Sequence, residues 1–254
     1  MKLNKQALFL CGDSRENRII AILENQGFQV THTSEKIDSL ANFDFIVSLG
    51  YRHLILEEVL DSAQVPIFNL HIGYLPYNRG SHPNFWSFAD NTPSGITIHI
   101  MDKGIDTGPI AFQRNFVFDK KVETFETTYN YLVSQIIDLF DSKIQNLILG
   151  NFELVPQRGL GTFHKLSDLP ESFSGWNANI SEELGKLDKI FSEELNTKLQ
   201  LIDQIEKQRS TNNLNWMNLL RVAFKYSPSE TKIIVKKIQE NDLRIFEFFK
   251  QLGD

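Results

Sequence analysis

The sequence has one cysteine, Cys11, among its 254 residues. One thiol forms no internal bridge, so no disulfide framework holds this chain, and a reducing compartment suits it. Cys11 closes the apolar run Ala7 to Cys11, where a small residue at the end of a buried strand is the simplest reading. Positive charge is also scarce: 26 Lys and Arg face 32 Asp and Glu, for a net charge of -6. Such a chain has no general attraction for phosphate backbones, so nucleic acid is not the expected partner. No apolar run approaches the roughly 20 residues that a bilayer span needs. The lysines of Met1 to Gln6 are followed by no long apolar stretch of the secretory kind. A soluble cytoplasmic protein without a membrane partner is expected. No internal repeat and no low-complexity segment is present. No cysteine-histidine spacing suggests a metal site.

What is present is an alternation of short apolar runs with helix-like segments. Ala7 to Cys11, Phe28 to His32, Phe45 to Leu49 and Val65 to Leu70 read as strands. Between them, Arg15 to Gln26 and Leu54 to Leu60 read as helices, the first with Asp13 and Glu16 as a capping pair and Gly27 as its stop. The strands show little polar alternation, as in a parallel sheet covered on both faces. From Gly95 the pattern changes: Ile96, Ile98 and Ile100 alternate with Thr97, His99 and Met101, which predicts a strand with two unlike faces. Ile110 to Phe118 is a further strand, and Thr124 to Ile148 a long amphipathic helix stopped by Gly150-Asn151. Pro156 to Pro170 reads as loop. Residues 181–254 differ in character, with charged helical segments expected at Ser181 to Gln208, Leu214 to Tyr226 and Ser229 to Leu252. The predicted organisation is an α/β catalytic domain over 1–180 and a small helical C-terminal appendage over 181–254.

Ligands in open α/β sheets bind beyond the carboxyl ends of the strands. Gly12-Asp13-Ser14, after the first strand, lacks the full dinucleotide glycine pattern. The densest functional signal lies between Phe68 and Ile110. Strand alternation puts Asn69 and His71 on one face at a strand end, an amide donor beside a candidate general base. Asp106 follows in a glycine-rich loop beside the next strand. Taken singly, each has a structural explanation: His71 a hydrogen-bonded strand end, Asp106 a turn former before Thr107-Gly108, Asn69 a loop cap. Their joint presence carries the functional reading.

That constellation resembles the formyltransferases that use 10-formyltetrahydrofolate. It consists of Asn69-Leu70-His71, Leu75-Pro76, Arg79-Gly80, Gly95-Ile96-Thr97-Ile98-His99 and Ile105-Asp106-Thr107-Gly108, in that order. The resemblance covers roughly residues 7–150. One departure is Ile72, where many relatives carry proline. Gly50-Tyr51-Arg52-His53-Leu54-Ile55 and the loop Tyr77-Asn78-Arg79-Gly80 are similar to nucleotide-sugar formyltransferases, as are Gly175-Trp176 and Asn215-Trp216-Met217 in the tail.

The resemblance implies a Rossmann-like formyltransferase core with a mostly parallel sheet, and Asn69, His71 and Asp106 as the catalytic set. His71 would take the amine proton, an imidazole being suited to proton transfer near neutral pH. Asn69 would donate to the developing oxyanion. Asp106 would orient and stabilise His71, or relay protons to the departing nitrogen through water. The co-substrate 10-formyltetrahydrofolate would meet Gly50, Tyr51, Arg52, Leu54 and Ile105. The acceptor would meet Arg15, Tyr77, Asn78 and Arg79, the arginines facing a diphosphate. His99 would support the site from the neighbouring strand, while Asp102 and Lys103 would be loop surface and His164 has no assigned role.

The expected activity is N-formylation of a dTDP- or UDP-linked amino-deoxy sugar, feeding surface polysaccharide (O-antigen-like, lipopolysaccharide) synthesis, in a homodimer joined by the apolar tail stripe. Alternatives are a methionyl-tRNA or glycinamide ribonucleotide formyltransferase, a formyltetrahydrofolate hydrolase, and a binding module without turnover. The acidic chain and helical tail weigh against the tRNA enzyme, and the extra tail against the ribonucleotide enzyme. The hydrolase usually has an amino-terminal regulatory domain, and an inert module has no physical need for the catalytic trio.

Overall fold

The computed structural model describes residues 5–12 and 17–253. In chain order, β1 (Lys5–Cys11), α1 (Asn17–Asn25), β2 (Phe28–Thr33), β3 (Phe45–Leu49), α2 (Glu57–Leu60) and β4 (Ile67–His71) come first. They are followed by β5 (Arg79–Gly80), α3 (Pro83–Ala89), β6 (Ser94–Ile100), β7 (Ile110–Phe116), α4 (Phe125–Leu149), β8 (Phe163–His164), α5 (Ile180–Tyr226) and α6 (Pro228–Gly253). A six-stranded sheet runs in the order β2-β1-β3-β4-β6-β7, and β5 pairs with β8 apart from it. The pairs among β1 to β4 are parallel, whereas β6 lies antiparallel to both β4 and β7. The parallel half is the sheet the strand pattern predicted, and the whole is the Rossmann-like, mostly parallel core that the resemblance implied, with its antiparallel part at β6 and β7.

The apolar runs are buried because both sheet faces are covered. Alternation along β1 sends Ala7 and Phe9 into one cluster with α1 and α4, and Leu8 and Leu10 into another with Leu40 and Ile46. In the first cluster Phe45 stacks on Phe68 at 5.4 Å between ring centroids and meets Phe140 of α4 at 6.3 Å. The long helix begins as its sequence dictates. Thr124 Oγ1 accepts the Thr127 N–H at 3.1 Å, and the Thr124 N–H donates to Thr127 Oγ1 at 3.0 Å, a reciprocal cap. Gly150 ends the helix at φ 71°, a left-handed conformation that glycine adopts without steric cost.

Three sequence expectations change. The helix expected from Leu54 shrinks to the single turn of α2, and Leu54 and Leu56 stand 72% and 59% exposed. Periodicity suggested a buried face there, but Leu54 borders an open cleft instead. Pro156 to Pro170, read as loop, holds the short strand β8 paired to β5, while β6 keeps its two unlike faces, with Thr97 and His99 buried and each satisfied by hydrogen bonds. In the tail, the break expected between 208 and 214 is absent, because α5 runs unbroken through Arg209 to Asn213. Modest helix propensity in a polar run lowers helix stability without stopping the helix, unlike Pro or a capping Gly.

The chain divides into two compact units, Met1–Asp188 and Lys189–Asp254. The second holds most of α5 and all of α6, divided at Ser227, with Pro228 opening the next helix where its missing N–H costs nothing. Phe191, Ile202, Trp216 and Ile234 in this unit are each more than half exposed. Among the described residues no helix is long and apolar enough to cross a membrane.

Candidate active site

Adjacent strands of opposite sense build the site. β4 supplies Asn69 and His71, and β6 sets His99 directly opposite Asn69 and Thr97 opposite His71. Directly opposed residues of an antiparallel pair share a face, so the two histidines and the amide converge. Asp106 comes from the loop between β6 and β7, with φ 53°, a left-handed conformation uncommon outside glycine. The loop lies hard against β6: a Cβ on Gly108 would stand 1.8 Å from the Ile100 carbonyl oxygen, so only glycine fits.

The carboxylate of Asp106 is the hub. Its Oδ1 accepts from Asn69 Nδ2 at 3.0 Å and lies 3.4 Å from His99 Nε2. Its Oδ2 accepts the Gly80 N–H at 2.9 Å and faces His71 Nδ1 at 3.6 Å. Backbone carbonyls fix both ring tautomers, since a carbonyl only accepts. His71 Nε2–H donates to Asn78 O at 3.0 Å, which leaves Nδ1 unprotonated and turned to Asp106. His99 Nδ1–H donates to Ile100 O at 3.0 Å, so its Nε2 accepts from Asn69 Nδ2 at 3.1 Å. Both amide hydrogens of Asn69 are therefore engaged. The ring of His71 is oriented by Asn78 rather than by Asp106, which instead faces the nitrogen that can still take a proton.

Burial lowers the pKa of His71, and the neighbouring His99 adds to this. The Asp106 charge and the bond to Asn78 pull the other way without overcoming it. Burial alone would raise the Asp106 carboxyl. The His71 charge, the contacts from His99 and the Gly80 N–H outweigh it and hold the group well below the usual carboxylate range. At neutral pH the site thus holds a neutral imidazole beside a fixed anion.

A cleft of about 920 Å³ opens over these groups. Asn69, His71 and Asp106 line it, as do Gly50, Tyr51, Arg52, Leu54 and Ile105. Ile105 and Leu54 give it an exposed apolar lip, and Tyr51 is held by its hydroxyl donating to Glu35 O at 2.6 Å. Lys103, bonded to Glu57, ties the Asp106 loop to α2. The opposite side carries His82, Phe163 and His164. His164 stacks on Trp86 at 3.8 Å and bonds Asp90 at 2.7 Å, a placement its loop sequence did not suggest. Among the described residues no group of His, Cys, Asp and Glu is arranged to hold a metal.

The other sequence-predicted contacts fall elsewhere. Tyr77, Asn78 and Arg79 are not among the residues lining this cleft. Asn78 is wholly buried, its amide bonded to Thr92 and Thr162, so it braces the loop and orients His71. Arg79 is half-buried and forks onto Gln157 Oε1 through Nε at 3.0 Å and Nη2 at 2.7 Å. Arg15 lies outside the described residues. Sequence reasoning missed Gln157 altogether, because a glutamine in a loop carries no spacing signal.

The cleft sets an amide donor, a neutral imidazole and an ionised carboxylate together at the seam of a mixed α/β sheet, groups suited to moving a proton and stabilising a developing negative charge. The family model described as Formyl transferase matches residues 12–136. The structure of the formyltransferase PseJ from Anoxybacillus kamchatkensis is 36% identical, with a TM-score of 0.65, and the match covers 71% of this chain and 98% of that one. The chain belongs to the formyl transferase family. PseJ was solved in complex with UDP-4,6-dideoxy-4-formamido-L-AltNAc and tetrahydrofolate. A 4-N formyltransferase from Francisella tularensis shares the fold at 23% identity and a TM-score of 0.58, over 65% of this chain and 78% of its own. Among curated proteins, the methionyl-tRNA formyltransferase of Clostridium beijerinckii is 25% identical over 77% of this chain and 66% of its own length. That of a Cyanothece species is 31% identical over 45% and 34%. The chain thus spans between about a third and two thirds of the length of these curated relatives.

Proposed function

We propose that this protein is an N-formyltransferase that moves the formyl group of 10-formyltetrahydrofolate onto the amine of a dTDP- or UDP-linked amino-deoxy sugar, in the cytoplasm, for surface polysaccharide synthesis. The observation that carries the reading is the likeness to PseJ over 98% of that chain, a protein solved with a UDP-linked formamido sugar and tetrahydrofolate. The cleft supports it. Its volume of about 920 Å³ is ample for two small ligands, and the Gly50 to Ile55 segment and Ile105, which line it, are assigned to the folate in this reading.

His71 Nδ1 takes the proton of the attacking amine, because Nε2 is occupied by Asn78 O. The imidazolium so formed faces Asp106 at 3.6 Å, and the pair is neutral as a whole. As Asp106 turns its charge to that cation, the Asn69 hydrogen it held is released to the oxygen on which negative charge develops. Such a donor is worth about two to three powers of ten in rate. Tyr77 and Arg79 serve the acceptor by shaping its loop, while Arg15 and Arg52 supply positive charge for the diphosphate and the folate. The apolar stripe of the tail, with Phe191, Ile202 and Trp216 half or more exposed, fits a second copy of this chain as a homodimer.

The test is turnover with 10-formyltetrahydrofolate and a panel of dTDP- and UDP-linked 3-amino and 4-amino sugars, followed by tetrahydrofolate release and product mass. Gain of one formyl group on one sugar nucleotide is the expected result. The curated relatives favour charged initiator tRNA as the rival acceptor. Formylation of that tRNA, with every sugar inert, would overturn the sugar reading.

A further inference from the structure

Gln157 sits in a segment joined to the sheet by the antiparallel bridge of Val155 with Ile110. All four hydrogen-bonding positions of its carboxamide are used. Nε2 donates to the carbonyl oxygens of Asp106 at 2.8 Å and Gly108 at 2.7 Å. Oε1 accepts both arms of the Arg79 fork. The orientation of the amide is unambiguous, because arginine only donates and a backbone carbonyl only accepts. One two-residue strand therefore grips Asp106 at both ends. The Gly80 N–H holds the carboxylate, and the Arg79 side chain holds the backbone through Gln157. The gripped residue has the left-handed φ of 53°. Aspartate tolerates that conformation better than most residues with a β-carbon, but it is still less favourable than extended or right-handed backbone, so bonds that hold the turn matter.

We propose that Gln157, aligned by Arg79, is a positioning residue for formyl transfer: its amide hydrogens hold the Asp106 turn so that the carboxylate reaches His71 and Asn69. This rests on the formyl-transfer reading above. Without the clamp the carboxylate withdraws from His71, and the ring loses the anion that favours its protonated form.

Three variants separate this role from simple packing. In Gln157→Ala, kcat falls by about a hundredfold, the scale of an ångström-sized misplacement, while the KM for 10-formyltetrahydrofolate changes little. Gln157→Glu keeps an acceptor for Arg79 but turns an oxygen toward two carbonyls. It loses as much activity as the alanine variant, and Arg79→Met follows both. The second readout is the His71 ring titration by NMR, which requires no acceptor. The His71 pKa in Gln157→Ala lies below that of the wild-type protein. A fully active Gln157→Glu would assign the residue to pairing with Arg79 alone and overturn the proposal. Superimposable His71 titrations of wild type and Gln157→Ala, with kcat within twofold, would overturn it as well. Wild-type inactivity on every acceptor counts against the proposed function instead, and the titration then decides the role of Gln157.

Discussion

The catalytic unit and the helical tail satisfy their hydrophobic patterns in opposite ways. In the first, apolar residues of β1, β3 and α4 meet one another, and Phe9, Val47 and Phe140 are at most 1% exposed. In the second, apolar residues recur just as regularly along α5 and α6, yet Trp216, Leu219 and Ile233 remain 56%, 57% and 59% exposed. A pattern therefore names the face that must be covered without saying what covers it. Three stacked layers supply the cover within the first unit. The tail has two helices to offer and more apolar surface than they can hide.

Substitutions should separate the units, beginning with the largest effect. His71→Ala removes the proton acceptor and should lower kcat by about two to four powers of ten. The midpoint of thermal denaturation should fall only modestly beside the loss of rate, the cost of one buried ring and its hydrogen bond to Asn78. Activity retained within tenfold would remove His71 from the reaction. Phe140→Ala empties the core position through which α4 packs on Phe45 and should cost about 3–5 kcal/mol of stability, read by urea denaturation. Trp216→Arg should change the stability of the isolated fold by no more than about 0.5 kcal/mol and leave kcat unaltered, yet halve the mass seen by sedimentation at micromolar concentration. A wild-type chain that sediments as a monomer would break the comparison at that point, and the tail would then need another partner.

The smallest effect is on pH dependence. His71 must be unprotonated to accept the amine proton, and burial holds its pKa below 6.5. The acid limb of kcat/KM should therefore lie below pH 6.5, with activity flat through neutrality. Asp106 stays ionised across that window. A limb centred above 6.5 would mean that Asp106 outweighs burial.

Much of this was legible in the sequence where one signal dominates. β3 begins and ends where its apolar run does, and α4 begins after its threonine cap and stops at its glycine. The convergence of Asn69, His71 and Asp106 was legible because strand alternation and the Asp106 loop act over short distances. The failures arise where a residue answers to something far along the chain. Leu54 and Leu56 look like a helical face but are exposed, Leu54 at the edge of the cleft. Thr97 and His99 form the polar face of β6 that the alternation announced, and both are buried, so polar alternation marks a buried polar surface as readily as a wet one. Asn78 and Arg79 sit in a loop motif that suggests ligand contact, yet their partners are Thr162 and Gln157, more than 70 residues on. No periodicity encodes such a pairing.

The change of strand direction between β4 and β6 has a consequence for assembly. His71 belongs to the parallel half of the sheet, while His99 and the Asp106 loop arrive only with the antiparallel half. A chain that has folded its first seventy residues holds an imidazole with no anion to face. On the proposed role of His71, turnover therefore requires the pairing of β6 with β4, and its recovery during refolding should follow that pairing rather than the formation of the parallel strands alone.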